Sequence, residues 1–136
     1  DRDTAALLAE RIRQAVSAHR FDLDDGDTVR LSCSIGFAFF PFVPGTPSLF
    51  SWEQVLNMAD RALYHAKQAG RNRWVGVLNA PDVDPAVAMN RKNDDLEQLA
   101  SKGIIELNIG TGTPSGPDRT HRPLELLQPQ VVGQLG

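Results

Sequence analysis

The chain has 136 residues, of which 41% are apolar and 23% are charged, and its formal net charge is −3. This length suffices for one domain with a hydrophobic core. The charge argues against binding to a nucleic-acid polymer, because no basic excess exists to release the counterions of a phosphate backbone. No run of about 18 apolar residues occurs, so we predict no membrane-spanning segment. Residues 1–78 carry nine basic and nine acidic side chains, so the whole net charge lies in residues 79–136.

The N-terminal segment predicts a helix that begins at a cap on Asp3 or Thr4 and runs to about His19. Its apolar residues fall at the spacing of one buried helical face, and Glu10 and Arg13 fall toward other faces. The predicted buried face consists of Ala5, Leu8, Ile12, Ala15 and Val16.

A turn and one long strand are predicted next. Residues 24–27 read Asp-Asp-Gly-Asp, a strong turn signal. Residues 29–40 then alternate bulky apolar side chains with small ones, as in a strand from the middle of a sheet that is covered on both faces. Cys33 is the one cysteine of the chain, and its apolar surroundings predict a buried, inert thiol.

The second helix has clear start and stop signals. Ser51 is the predicted N-cap, with Gln54 placed to complete a capping box, and Gly70 ends the helix. Residues 74–78 form a short apolar strand. The order helix, strand, helix, strand predicts an α/β fold with helices packed on a sheet. The helix is expected to bury Val55, Leu56, Ala59, Ala62, Leu63 and Ala66.

The composition changes after residue 78, so we divide the chain into residues 1–78 and a polar tail, 79–136, expected to be weakly structured or partly disordered. Within the tail, residues 90–102 are a weak helix candidate and residues 104–109 an edge-strand candidate. Residues 110–123 are rich in Gly, Thr, Pro and Ser and are not expected to order themselves. Packing of the tail on the domain would use Leu96, Leu99, Ile104 and Ile105.

Lys67 and Arg71 stand one turn apart at the end of the second helix. A lysine ammonium and an arginine fork can together bind a polyphosphate. Basic residues at a helix C-terminus also offset the helix dipole without binding any ligand. Spacing alone leaves both interpretations open.

Three segments resemble the GGDEF domains, the diguanylate cyclases. Residues 59–74, ADRALYHAKQAGRNRW, are similar to the closing motif of that family. Residues 29–40, VRLSCSIGFAFF, resemble its Ser-Ile-Gly strand, and residues 7–16, LLAERIRQAV, resemble the helix that follows its signature. The resemblance covers residues 4 to about 78, the C-terminal half of such a domain. It implies a nucleotidyl-cyclase palm-like sheet with packed helices, incomplete in this chain.

The resemblance implies a function in bacterial second-messenger signalling. Two such domains face each other as a homodimer, each holding one GTP, and condense the two molecules to cyclic di-GMP with Mg²⁺ or Mn²⁺. Lys67 and Arg71 match the positions that contact the GTP phosphates. Arg11 matches a position that joins a secondary inhibitory site for the product in some members, although an exposed helix arginine is also commonly just solvated.

The sequence departs from the family in one large respect, because no GGDEF or similar signature occurs in these 136 residues. We therefore expect the catalytic and metal-binding residues to lie upstream of Asp1 and none of them to lie in this chain. The chain would then be an inactive fragment of a diguanylate cyclase. A degenerate module that binds GTP or cyclic di-GMP, or only dimerises, is the alternative. A purely structural dimerisation domain is a third interpretation.

Missing sheet partners would also affect stability. The loss of ~500 Å² of apolar burial costs on the order of 12 kcal/mol, comparable with the stability of a whole domain. We therefore expect the chain alone to be marginally stable, aggregated or oligomeric. The expected location is the cytoplasm, with attachment of the parent protein to a membrane through an N-terminal sensor left open.

Overall fold

A computed structural model describes residues 1–111 of the chain. Helices and strands are mixed along the chain, in agreement with the α/β prediction. The elements are α1 (Arg2–Ala18), β1 (Arg20–Asp22), β2 (Thr28–Arg30), β3 (Ile35–Ala38), α2 (Trp52–Gln68), β4 (Arg73–Asn79), α3 (Pro85–Met89), α4 (Leu96–Ser101) and β5 (Ile105–Thr111).

The described strands form two sheets. β1 and β2 make a small antiparallel hairpin, and the larger sheet has the order β3-β4-β5. β3 and β4 are parallel and are connected through α2, so β3-α2-β4 is a crossover unit. β5 pairs antiparallel with β4 along seven residues of each strand. The central strand β4 is therefore paired on both sides and is almost entirely buried.

α1 begins earlier than predicted and buries a different face. Asp1 is the N-cap, and its side chain accepts a hydrogen bond of 2.8 Å from the backbone N–H of Thr4, so the prediction of a cap at Asp3 or Thr4 is wrong. The buried residues are Ala9, Glu10 and Arg13. The predicted apolar face is partly or largely exposed instead, because this helix packs against β4 through its polar pair. The wrongly predicted residues are Ala5, Leu8, Ile12, Ala15 and Val16.

The predicted long strand of residues 29–40 is two separate strands. The turn is confirmed: the N–H of Leu23 donates to Asp27 at 2.8 Å, and β1 and β2 pair on either side. Residues 31–34 leave the pairing pattern, and β3 then joins the larger sheet at its edge rather than in its middle. Cys33 is only half-buried, and burial raises the pKa of its thiol above the ordinary value, an effect that the positive charge of Arg13 only partly offsets.

α2 begins and ends where its local sequence predicts. Ser51 caps it, and the reciprocal hydrogen bonds with Gln54 measure 3.2 and 2.8 Å. Its most deeply buried residues include Met58, which the predicted face omitted, whereas Leu56 is exposed. Much of the core beside α2 comes from the preceding loop through Phe42, Val43, Leu49 and Phe50, whose burial was not predicted.

The described part of the C-terminal segment is ordered and packs on the rest of the molecule. The candidate edge strand is confirmed as β5, and the weak helix candidate contains the short helix α4. The side chains expected to pack on the domain are all buried in the core: Leu96, Leu99, Ile104 and Ile105. The division at residue 78 stays a prediction. Residues 112–136, which include most of the segment predicted to be disordered, lie outside the described residues.

Several large apolar side chains stay exposed at the surface of residues 1–111. Leu8 is 57% exposed, Ile12 46% and Leu31 50%. These side chains are consistent with missing packing partners, but the expected marginal stability stays a prediction. No helix in residues 1–111 combines the length and apolar character needed to cross a bilayer.

Gly36 provides a test of the contact between β3 and α2. A Cβ added there would collide with the backbone of Ala59 and Leu63. Gly36→Ala should therefore lower the free energy of unfolding by about 1–3 kcal/mol, the usual cost of overpacking. The measurement is urea unfolding of the complete protein.

Gly45→Ala is the matched control, because no atom lies within 4 Å of a Cβ added at Gly45. This variant should unfold at the same urea concentration as the wild type or at a slightly higher one. Equal stability of the two variants would contradict the close packing of β3 on α2.

Candidate phosphate-binding site

Lys67 and Arg71 lie at the C-terminal end of α2, as the sequence predicts. Lys67 is in the last helical turn, and Arg71 follows the C-cap residue Ala69. Both residues are exposed. Within residues 1–111, neither side chain takes part in an ion pair. The two positive charges are therefore not neutralised by the acidic side chains of the described chain.

The turn that carries Arg71 has a strained backbone. We call Gly70, Arg71 and Asn72 the 70–72 turn; their φ angles are +120°, +61° and +50°. Glycine adopts such values readily and asparagine tolerates them, but for other L-residues the left-handed region costs roughly 1–2 kcal/mol. Arg71 is thus held in a conformation that its own side chain does not favour. The turn begins with a hydrogen bond of 3.0 Å from the N–H of Arg71 to the carbonyl of Ala66.

A buried ion pair between Glu10 and Arg13 of α1 contacts this turn. Nε and Nη2 of Arg13 donate to the two carboxylate oxygens of Glu10 at 3.0 and 2.6 Å. Both side chains are at most 6% exposed. Nη1 of the same guanidinium donates to Oδ1 of Asn72 at 3.0 Å. One arginine fork therefore joins a helix carboxylate to the 70–72 turn.

The Glu10 carboxylate accepts two further hydrogen bonds. The indole N–H of Trp74, the first buried residue after the turn, donates to it at 2.9 Å, and the amide of Gln14 donates at the same distance. The carboxylate thus accepts four hydrogen bonds from protein donors, which is what a buried charge requires. We call Glu10, Arg13, Gln14, Asn72 and Trp74 the Glu10 cluster.

The electrostatics of the Glu10 cluster favour the ionised carboxylate. Burial raises the pKa of Glu10, but the hydrogen bonds and charge of Arg13, with the hydrogen bonds of Trp74 and Gln14, outweigh burial and leave the pKa below its ordinary value. Glu10 therefore stays charged at neutral pH and balances Arg13.

Sequence reasoning missed this cluster. It placed Glu10 and Arg13 on other faces of α1 because apolar spacing alone defined the buried face. Two signals in the sequence were available: a Glu and an Arg three residues apart on a helix can pair, and a buried tryptophan N–H needs an acceptor. Neither signal indicates by itself that the pair is buried.

Arg11, the third predicted site residue, is exposed on α1 and forms no ion pair within residues 1–111. Its suggested role in product binding stays a prediction. No group of three or more His, Cys, Asp or Glu side chains in the described residues is placed to hold a metal ion. Residues 1–111 thus offer no ligand cluster that fits a divalent metal.

A separate groove of about 410 Å³ lies between α2 and α4. Its lining contains Arg61 but also the three carboxylates of Asp60, Asp95 and Glu97, and it includes neither Lys67 nor Arg71. The exposed cations, rather than this groove, carry the charge that a phosphate ligand requires. The candidate site is therefore an open surface at a helix end.

The lowered pKa of Glu10 predicts how stability depends on pH. An unfolded glutamate titrates near 4.3, so the contribution of the ion pair is complete above that pH and is lost as the pH falls through the lower native pKa. Glu10→Gln should cost about 3–5 kcal/mol at pH 7, because it leaves Arg13 buried without a counter-charge. The difference in free energy of unfolding between Glu10→Gln and the wild type should become smaller in acid, where Glu10 is itself protonated.

Urea unfolding of both proteins at pH 7 and at pH 3 measures this difference. Glu53→Gln, at an exposed position in the first turn of α2, is the control and should change stability only slightly. A difference that does not change with pH would contradict a charged Glu10.

Comparisons with known proteins agree with the motifs of α1, β3 and α2. The family model described as diguanylate cyclase, GGDEF domain, matches residues 1–73. The chain is 42% identical over 65 residues to diguanylate cyclase DosC of Escherichia coli K12, covering 48% of this chain and 13% of that protein. It is 39% identical over 71 residues to the uncharacterized protein YhcK of Bacillus subtilis 168, covering 52% of this chain and 18% of that protein.

The chain therefore spans less than a fifth of the length of these curated relatives. No solved structure gives a significant match. The family model covers more than half of the chain, and it includes both α1 and the 70–72 turn. This protein belongs to the GGDEF domain family of diguanylate cyclases.

Proposed function

We propose that this chain supplies the phosphate-binding part of a diguanylate cyclase domain that condenses two GTP molecules to cyclic di-GMP. The observation that carries the proposal is the pair of exposed cations at the end of α2, which form no ion pair within residues 1–111 and lie inside the family match. Lys67 would act as a compact charge and Arg71 as a two-pronged donor to the phosphate oxygens. Their role is to hold the triphosphate while the 3′-hydroxyl of the second GTP attacks its α-phosphate, the bond to the β-phosphate breaks and pyrophosphate leaves.

The rest of the machinery belongs, in this proposal, to a part of the domain that precedes Asp1. The signature of the family is absent from the 136 residues. Residues 1–111 contain no group of three or more His, Cys, Asp or Glu side chains placed to hold a metal ion. The exposed Leu8, Ile12 and Leu31 support the same view, because a complete domain would offer apolar surface to cover them. The chain would then be the C-terminal half of the domain and inactive by itself.

Two further roles complete the proposal. Catalysis would need two domains facing each other, so that each supplies one bound GTP. Arg11 would contact cyclic di-GMP at a secondary inhibitory site; its exposure on α1 leaves it accessible to such a ligand.

A second candidate is a degenerate module that binds GTP or cyclic di-GMP without turning it over. Lys67 and Arg71 would serve such a module equally well, because binding a nucleotide needs the exposed cations but no catalytic group. The complete protein distinguishes the two. An intact GG[DE]EF signature and formation of cyclic di-GMP from GTP support the enzyme, whereas nucleotide binding with a broken signature and no product supports the module.

The phosphate site is tested by removing each cation. Lys67→Ala and Arg71→Ala should each weaken GTP binding about tenfold or more, since a hydrogen bond to a charged group contributes about 1.5–3 kcal/mol. Titration calorimetry with GTP on the complete protein measures the change.

Lys102→Ala is the matched control, because Lys102 is an exposed basic residue at the C-cap of α4. Its affinity should stay within about twofold of the wild type, since a residue that only offsets a helix dipole does not contact the ligand. If all three variants bind GTP equally well, Lys67 and Arg71 only cap a helix and the proposed function is wrong.

A further inference from the structure

The 70–72 turn needs support from outside itself. Arg71 and Asn72 are consecutive non-glycine residues with left-handed backbones, and such strain persists only where surrounding contacts fix it. Within the turn, the N–H of Arg71 donates to Ala66 and the side chain of Arg73 donates to the carbonyl of Arg71. These bonds are local and leave the orientation of the turn relative to α1 undefined.

The Glu10 cluster supplies two long-range contacts within residues 1–111. Arg13 reaches Asn72 across 59 positions of sequence, and Glu10 reaches Trp74 across 64. One contact falls inside the turn and the other just after it. The same ion pair therefore holds both, and its burial shields it from water and salt.

The geometry of Arg13 makes the connection specific. Its guanidinium uses Nε and Nη2 for Glu10 and Nη1 for Asn72, so one rigid plane fixes both partners at once. A lysine would preserve the charge but offers one ammonium rather than a fork.

We propose that Glu10, Arg13 and Asn72 are positioning residues for Arg71, which they hold in the left-handed conformation that presents its guanidinium to a triphosphate. This inference rests on the proposed function of Arg71. None of the three needs to touch the nucleotide. They act by keeping the 70–72 turn ordered before the ligand arrives, which lowers the cost of binding.

Two substitutions test the inference, one at the donor and one at the acceptor of the hydrogen bond from Arg13 to Asn72. Asn72→Gly still permits the positive φ but removes the acceptor for Arg13, and Arg13→Lys keeps the charge beside Glu10 but removes the fork. Each should weaken GTP binding by about three- to tenfold, the range expected for coupled neighbours. Calorimetric titration with GTP on the complete protein gives the affinities, and thermal unfolding of each variant shows whether it is folded.

The decisive comparison uses an Arg71→Ala background. If Asn72 acts through Arg71, then Asn72→Gly should change GTP affinity by less than about twofold once Arg71 is absent. Arg13→Lys should behave in the same way, so that either variant alone suffices if the other does not fold. A general loosening of the protein would instead weaken binding equally in both backgrounds.

The outcomes separate this inference from the proposed function. Wild-type affinity in Asn72→Gly and Arg13→Lys, together with a loss in Arg71→Ala, overturns the positioning role and leaves the phosphate site standing. An equal loss in both backgrounds also overturns it, because the cluster then supports the fold only. Unchanged affinity in Arg71→Ala itself overturns the proposed function and this inference with it.

Discussion

The buried ion pair between Glu10 and Arg13 is the interaction on which the rest of the candidate site depends. Charges at this depth are tolerated only when every strong hydrogen-bonding group is satisfied. Here the partners come from α1, the 70–72 turn and β4, so the pair is stable only when these parts meet correctly. Folding and the arrangement of the site are thereby coupled, because the contacts that neutralise the pair also orient the turn.

The sheet explains why distant segments meet at this point. β4 follows the turn directly and is buried between β3 and β5, so its path fixes where the turn ends. α2 packs closely on the same sheet at Gly36 and delivers Lys67 to the start of the turn. A rigid scaffold thus carries two exposed cations on a short surface segment, a common arrangement for binding residues.

The ends of α2 could be predicted from the sequence, whereas the buried face of α1 could not. Ser51 and Gln54 at the start of α2 and Gly70 after its end follow from backbone hydrogen bonding within a few residues, so the sequence alone identifies them. The buried face of α1 depends instead on Trp74, 64 positions away from Glu10, whose N–H requires an acceptor. Apolar spacing could not reveal that requirement, and for the same reason it placed the exposed Leu8 in the core.

The most direct test of this account is an amide chemical-shift map of the ¹⁵N-labelled protein titrated with GTP. A triphosphate held by Lys67 and Arg71 should shift the backbone amides of residues 66–73 and, through Glu10, the indole N–H of Trp74. The exposed indole of Trp52, at the opposite end of α2, provides an internal reference and should not move. Shifts confined to the groove between α2 and α4, with residues 66–73 unchanged, would contradict a phosphate site at the 70–72 turn.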